Sequence, residues 1–142
     1  GTTSCVRVFF VHSRHTIRNM KVILLFMALF LFELEQDGFF VTATIYHATA
    51  EQCNADFLTT ASGKKINESN PIGHRWIAVS RDLEQLGFKM GEKVMIEGAD
   101  DLSGVWTIQD RMNKRWTQRI DFLVNKTRKG GKWKNVIIKL IE

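Results

Sequence analysis

The rhythm of hydrophobic positions changes near residue 39. Val22 to Phe32 is an unbroken run of eleven apolar residues, whereas beyond it apolar and polar positions alternate in short stretches. Phe39-Phe40-Val41-Thr42-Ala43-Thr44-Ile45-Tyr46 is rich in β-branched and aromatic residues, which suit a pleated, half-buried surface. Arg75 to Ser80 reads as a short buried strand and Lys93 to Glu97 as an alternating one. Val105 to Asp110, Arg119 to Val124 and Asn135 to Ile141 bring the number of strands to six. Residues 48–73 read as a long loop, Lys89 to Glu92 as a turn, Ala99 to Gly104 as a polar hairpin loop and Gly130-Gly131 as a turn. The one helical stretch is Ser80 to Leu86, with Ser80 placed to cap its free N–H groups and Gly87 placed to end it in the left-handed conformation. Six short strands and one small helix predict an all-β fold, a small closed barrel over residues 39–142.

The apolar run is too short to span a bilayer as a helix, which takes about 20 residues. It has the length of a signal-peptide core, preceded by Met20-Lys21. Residues 1–38 are therefore expected to be an N-terminus begun upstream of the true start at Met20, followed by a signal peptide, and to lie outside the fold. The alternative is a buried hydrophobic element of the domain. No Cys sits just after the run, so a lipid or other stable membrane anchor is not expected.

Composition adds a sign to the partner. The formal charge is +5, and from Arg111 to Lys134 nine Lys or Arg residues surround a single acid, Asp121. Such a stretch is either a solvated basic face or a grip on an anionic polymer. Cys5 and Cys53 lack CxxC spacing, and His12, His15, His47 and His74 lack paired spacing, so neither a metal nor another cofactor is expected.

Three segments carry the functional signal. Thr42-Ala43-Thr44-Ile45-Tyr46 is followed at a distance by Thr60-Ala61-Ser62-Gly63-Lys64. Ile77-Ala78-Val79-Ser80 precedes Met90-Gly91-Glu92-Lys93-Val94-Met95-Ile96-Glu97-Gly98. Gly104-Val105-Trp106-Thr107-Ile108-Gln109-Asp110 precedes Arg119-Ile120-Asp121-Phe122. In this order they resemble the three-aspartate (3D) domain family. The Thr-Ala-Ser-Gly element is also similar to the related barrel of rare lipoprotein A, and the resemblance covers about residues 41–141.

The resemblance implies a six-stranded double-psi β-barrel. Its enzymatic members, such as membrane-bound lytic transglycosylase A, cleave peptidoglycan glycan strands. Asp110 and Asp121 match that group's aspartate pair at the same eleven-residue offset, and Asp121 matches its catalytic acid/base. Two positions depart from the pattern. Ser80 stands where the first of the three aspartates follows an Ala-Val pair, with Asp82 two residues on. Asn113-Lys114-Arg115-Trp116 replaces a small, Gly-rich stretch.

The chemistry can be argued without the resemblance. Breaking a glycosidic bond needs a proton for the leaving oxygen, and a neighbouring carboxylate keeps an acid protonated near neutral pH. A lytic transglycosylase uses the substrate's own 6-hydroxyl as nucleophile, so one residue serves as acid and then base. Asp121 is expected in that role, with Asp110 raising its proton affinity or orienting it. The structural alternative makes Asp110 a strand-end cap and Asp121 an ion-pair partner of Arg119 or Arg111. Tyr46 and Trp116 are expected to stack on sugars, Thr44, Thr60 and Ser62 to donate hydrogen bonds, Asn113 to read an N-acetyl group and Arg119 to contact the glycan. Trp76, Trp106 and Trp133 are expected in the core, and Trp116, between charged residues, exposed.

The resulting expectation is an exported, monomeric cell-envelope enzyme acting on peptidoglycan strands. Ser80 favours the alternative, a barrel that binds wall glycan or protein without turnover. A third class, nucleic-acid binding through the basic stretch, conflicts with a signal-like segment, and no nucleic-acid partner is expected.

Overall fold

The computed structural model describes residues 19–27, 38–52 and 56–142. The chain forms two compact units, Gly1–Asp37 and Gly38–Glu142. In the first, residues 19–27 are helical, with Met20 and Val22 to Met27 exposed. The rest of the signal-peptide expectation, together with Cys5 and Cys53, lies outside the described residues. Among the described residues no helix is long and apolar enough to cross a membrane.

The second unit is the expected barrel. Its strands are β1 Phe39–Tyr46, β2 Trp76–Val79, β3 Lys93–Glu97, β4 Gly104–Arg111, β5 Arg119–Leu123 and β6 Lys132–Leu140. They close in the order β1-β5-β2-β4-β3-β6. β1/β5 and β2/β4 are parallel, and the other four pairs are antiparallel. Exchanging β1, β2 and β3 with β4, β5 and β6 leaves every pairing and its direction unchanged. The barrel is therefore two interlocked, pseudo-symmetric halves, as the double-psi expectation requires.

Alternation fills the interior. Val41 and Ala43, Ile77 and Val79, Val94 and Ile96, Trp106 and Ile108, Ile120 and Phe122, and Val136 and Ile138 are all buried. Each strand thus supplies one i, i+2 pair to a single core, as a period of two dictates. Leu83, Phe88, Ala99 and Leu102 from the connections join the same cluster.

Several local expectations need correction. The helix Arg81–Gln85 has Ser80 at its N-cap position, but the Ser80 side chain makes no capping bond. Its Oγ instead accepts the Arg119 backbone N–H at 3.0 Å, while its own N–H donates to Arg119 O at 3.0 Å. Strand β6 begins at Lys132, earlier than expected, because Asn135 takes a left-handed φ of 59° inside a bulge and lets pairing continue past it. The Ala99–Gly104 connection contains a 3-10 turn, Asp100–Leu102, that buries Leu102. Within residues 48–73 lie the 3-10 turn Pro71–His74 and a bridge between Thr59 and Lys65. Trp106 is fully buried, whereas Trp76 and Trp133 are only partly so. Trp76 stacks on His74, and Trp133 Nε1–H donates to Asp100 at 2.8 Å.

Candidate functional site

On the outer face of the barrel, one row of residues crosses four strands. Thr44 of β1 pairs with Asp121 of β5, Asp121 pairs with Ala78 of β2, and Ala78 pairs with Asp110 of β4. The two carboxylates therefore flank one small residue, two strand spacings apart, or about 10 Å between backbones. All four residues line a cleft of about 880 Å³.

Simple alternation along β4 would put Asp110 on the wrong face, because Trp106 and Ile108 both point into the core. A β-bulge corrects this: Ile108 pairs with Ile77 but Asp110, not Gln109, pairs with Ala78. The extra residue, Gln109, re-aims Asp110 from core to cleft.

The environments of the two acids differ sharply. Asp110 is held from three sides. Its Oδ1 accepts the backbone N–H groups of Ala61 at 3.0 Å and Arg111 at 2.9 Å, and its Oδ2 accepts the Tyr46 hydroxyl at 3.1 Å. Asp121 is largely enclosed and accepts the Thr44 hydroxyl. Burial pushes the Asp121 carboxyl above the usual carboxylate range. The Thr44 hydrogen bond and the Arg119 charge oppose this, and the Asp110 charge adds to it. A carboxylic acid with raised proton affinity beside a fixed carboxylate is the arrangement that general acid catalysis needs.

Of the residues expected at the site, Thr44, Tyr46, Thr60, Asp110, Asn113, Trp116, Arg119 and Asp121 line the cleft. Ser62 does not. Its hydroxyl bonds Thr60 Oγ1 at 2.9 Å, and its N–H donates to Gln109 O at 3.2 Å, so it braces the turn that presents Ala61 N–H to Asp110. Trp116 is half-buried rather than exposed, with the Arg119 guanidinium 4.0 Å from its ring centre. The ion-pair alternative fails for Arg111, whose Nε and Nη2 bind Glu84 at 2.5 and 2.7 Å. Among the described residues Arg119 forms no ion pair with Asp121. Asp82 does not line the cleft, and its carboxylate accepts the Gln118 N–H at 2.9 Å.

Sequence reasoning missed Arg81, Arg111 and Arg115 in the cleft lining, and Glu51 and Asp56 in the connection after β1. The basic stretch from Arg111 onward was the available signal for two of these arginines. Comparison with protein-family models and with curated proteins finds no match to this chain. Function must therefore be argued from the barrel and its cleft.

Proposed function

We propose that the barrel is a peptidoglycan lytic transglycosylase, exported to the cell envelope, in which Asp121 is the acid and then the base. The observation that carries this reading is the unequal carboxyl pair across Ala78: one enclosed, with raised proton affinity, the other fixed by three hydrogen bonds. Asp121 gives its proton to the glycosidic oxygen as the bond to the anomeric carbon breaks. The substrate's 6-hydroxyl then attacks that carbon, and its proton returns to Asp121. The products are a free hydroxyl on the leaving sugar and a 1,6-anhydro ring on the other, with the enzyme unchanged. Burial favours the protonated form of Asp121, and the charge of Asp110, held by Tyr46, Ala61 and Arg111, adds to that. The proton comes from Asp121 and the nucleophile from the substrate, so this cycle requires no cofactor.

One observation favours a second reading, a barrel that binds wall glycan without turnover. Ser80, where the resembled family carries an aspartate, is fully buried and bonded into β5 rather than facing the cleft. Incubating the protein with purified peptidoglycan and analysing the soluble products by mass spectrometry separates the two. Fragments ending in 1,6-anhydro sugars support the enzyme, and glycan binding with no such ends supports the binder.

A further inference from the structure

The proposed bond cleavage uses only one end of the outer face of β1. Along this strand Val41 and Ala43 turn into the core, so Phe40, Thr42, Thr44 and Tyr46 share the outer face. Thr44 and Tyr46 line the cleft. Phe40 and Thr42 instead line a second groove, of about 280 Å³, together with Thr117, Gln118, Lys134 and Asn135. From Phe40 to Tyr46 the row runs roughly 20 Å at the rise of an extended strand.

Cleft and groove are neighbours on β5 as well. Thr42 pairs with Arg119, and Thr44 pairs with Asp121. Trp116 and Arg119 line the cleft, whereas Thr117 and Gln118 between them line the groove. A chain molecule lying over Asp121 therefore reaches the groove by following β1 back toward its start.

Long-range contacts build this groove. Opposite Thr42, β6 carries an extra residue: Val41 pairs with Val136 and Ala43 with Trp133, so Lys134 and Asn135 together face a single position of β1. Asn135 and Gln118 both have left-handed backbone, at φ 59° and 52°. For a long side chain such as Gln118 that conformation persists only where the surroundings impose it. Here its N–H donates to Asp82 at 2.9 Å and its side-chain amide to Phe40 O at 2.8 Å, which ties β1 to the connection before β5. A groove fixed before binding loses little ordering entropy when the ligand arrives.

The lining selects a ligand class. Phe40 is 56% exposed, and among the described residues no other ring packs on it. Around it stand two threonine hydroxyls, two carboxamides and one ammonium. A flat apolar ring bordered by hydrogen-bonding groups fits a sugar, whose faces carry C–H bonds and whose rim carries hydroxyls and amides.

We propose that this groove is a distal sugar subsite, and that the outer face of β1 is a track for consecutive units of one glycan strand. Resting on the glycan reading above, the track makes the protein sensitive to strand length. A disaccharide occupies the cleft at Asp121 alone, whereas a longer strand also lays a sugar on Phe40.

The test is a calorimetric titration of the full chain carrying Asp121→Asn, which stops turnover, with peptide-free peptidoglycan glycans of two and of eight sugars. The longer glycan should bind at least about fivefold more tightly, as one added aromatic contact with its hydrogen bonds provides. Phe40→Ala removes the ring, and Asn135→Gly removes a carboxamide while keeping the left-handed backbone. Either change should weaken the eight-sugar glycan by about three- to tenfold and leave the two-sugar glycan within twofold. Equal affinities for the two lengths overturn the track and leave the glycan reading standing. So does an unaltered length preference in both variants, or a loss shared equally by the two glycans, which would mark a damaged fold. Failure of both glycans to bind overturns the glycan reading, and this proposal with it.

Discussion

Replacing Ser80 by Ala removes one buried hydroxyl, which also bonds the Asp82 side chain. The hydroxyl is fully buried and accepts the Arg119 backbone N–H at 3.0 Å, beside the Ser80 N–H to Arg119 O bond at 3.0 Å. Ala keeps the second bond and removes the first, leaving a donor at the head of β5 without its acceptor. An unsatisfied buried group of this kind costs about 1–3 kcal/mol. For a barrel of roughly 100 residues that lowers Tm by roughly 5–20 °C. Differential scanning calorimetry gives the value directly. Ser80→Asp keeps an acceptor but places a carboxyl in a fully enclosed position. Its proton affinity in the folded state should rise above the unfolded value. The folded variant then binds a proton that the unfolded chain releases, so stability is highest in acid and falls as pH rises through that window. Neither change touches the cleft lining. The reasoning fails if Ser80→Ala costs less than about 0.5 kcal/mol, the level of an ordinary surface substitution, or if Ser80→Asp unfolds with the same pH profile as the parent.

Asp121→Asn keeps the shape of the acid without an exchangeable proton. Release of anhydro-sugar products should fall about 10²–10⁴-fold, with glycan binding within a few fold. The same variant should lose a pH dependence of stability. Because the folded Asp121 carboxyl sits above its ordinary value, the parent loses stability as pH rises from the unfolded value to the raised one, and Asn abolishes that slope in urea titrations. Asp110→Asn should be milder and should move the alkaline limb of the pH–rate profile, where Asp121 loses its proton, to lower pH, since it removes a charge that favours the protonated Asp121. Glu84, drawn below its ordinary range first by the Arg111 hydrogen bond, should act oppositely. Its contribution is complete above the unfolded value and is lost as pH falls through the folded one, so Glu84→Gln should flatten acid denaturation. Retention on immobilised peptidoglycan should weaken as salt rises toward about 0.5 M, and salt-insensitive retention would assign the contact to stacking.

The barrel was legible because its core obeys one rule. Each strand buries an i, i+2 pair of apolar residues, and β-branched or aromatic side chains mark the runs. Local irregularities hid the rest. Nothing in Thr107-Ile108-Gln109-Asp110 announces a bulge, yet without it Asp110 shares a face with Trp106 and Ile108 and is a core residue. Ser80 carries the usual composition of an N-cap, but a long-range partner, Arg119, takes its hydroxyl. Trp116 lies among charged residues, and those charges are what cover it, because two guanidinium groups stack on the ring. Ser62 belongs to a recognisable turn, but that turn presents the Ala61 N–H to Asp110 and keeps the serine for itself.

The two-fold pattern of the strands bears on why the carboxylates are unequal. Exchanging the halves maps the row Thr44, Asp121, Ala78, Asp110 onto itself in reverse, so β1 trades places with β4 and β5 with β2. The strand order thus offers two matched outer positions, held here by Thr44 and, through the bulge in β4, Asp110, and two matched inner ones, held by Asp121 and Ala78. A symmetric choice of side chains would give two like carboxylates with no reason for one to hold the proton. The sequence places one acid at an inner position and one at an outer position. The inner acid is enclosed and meets a hydroxyl. The outer one, turned by the bulge at Gln109, meets two backbone N–H groups and a phenol. Backbone symmetry supplies the cleft, and its breaking by four side chains leaves Asp121 enclosed, with the raised proton affinity on which an acid/base role depends.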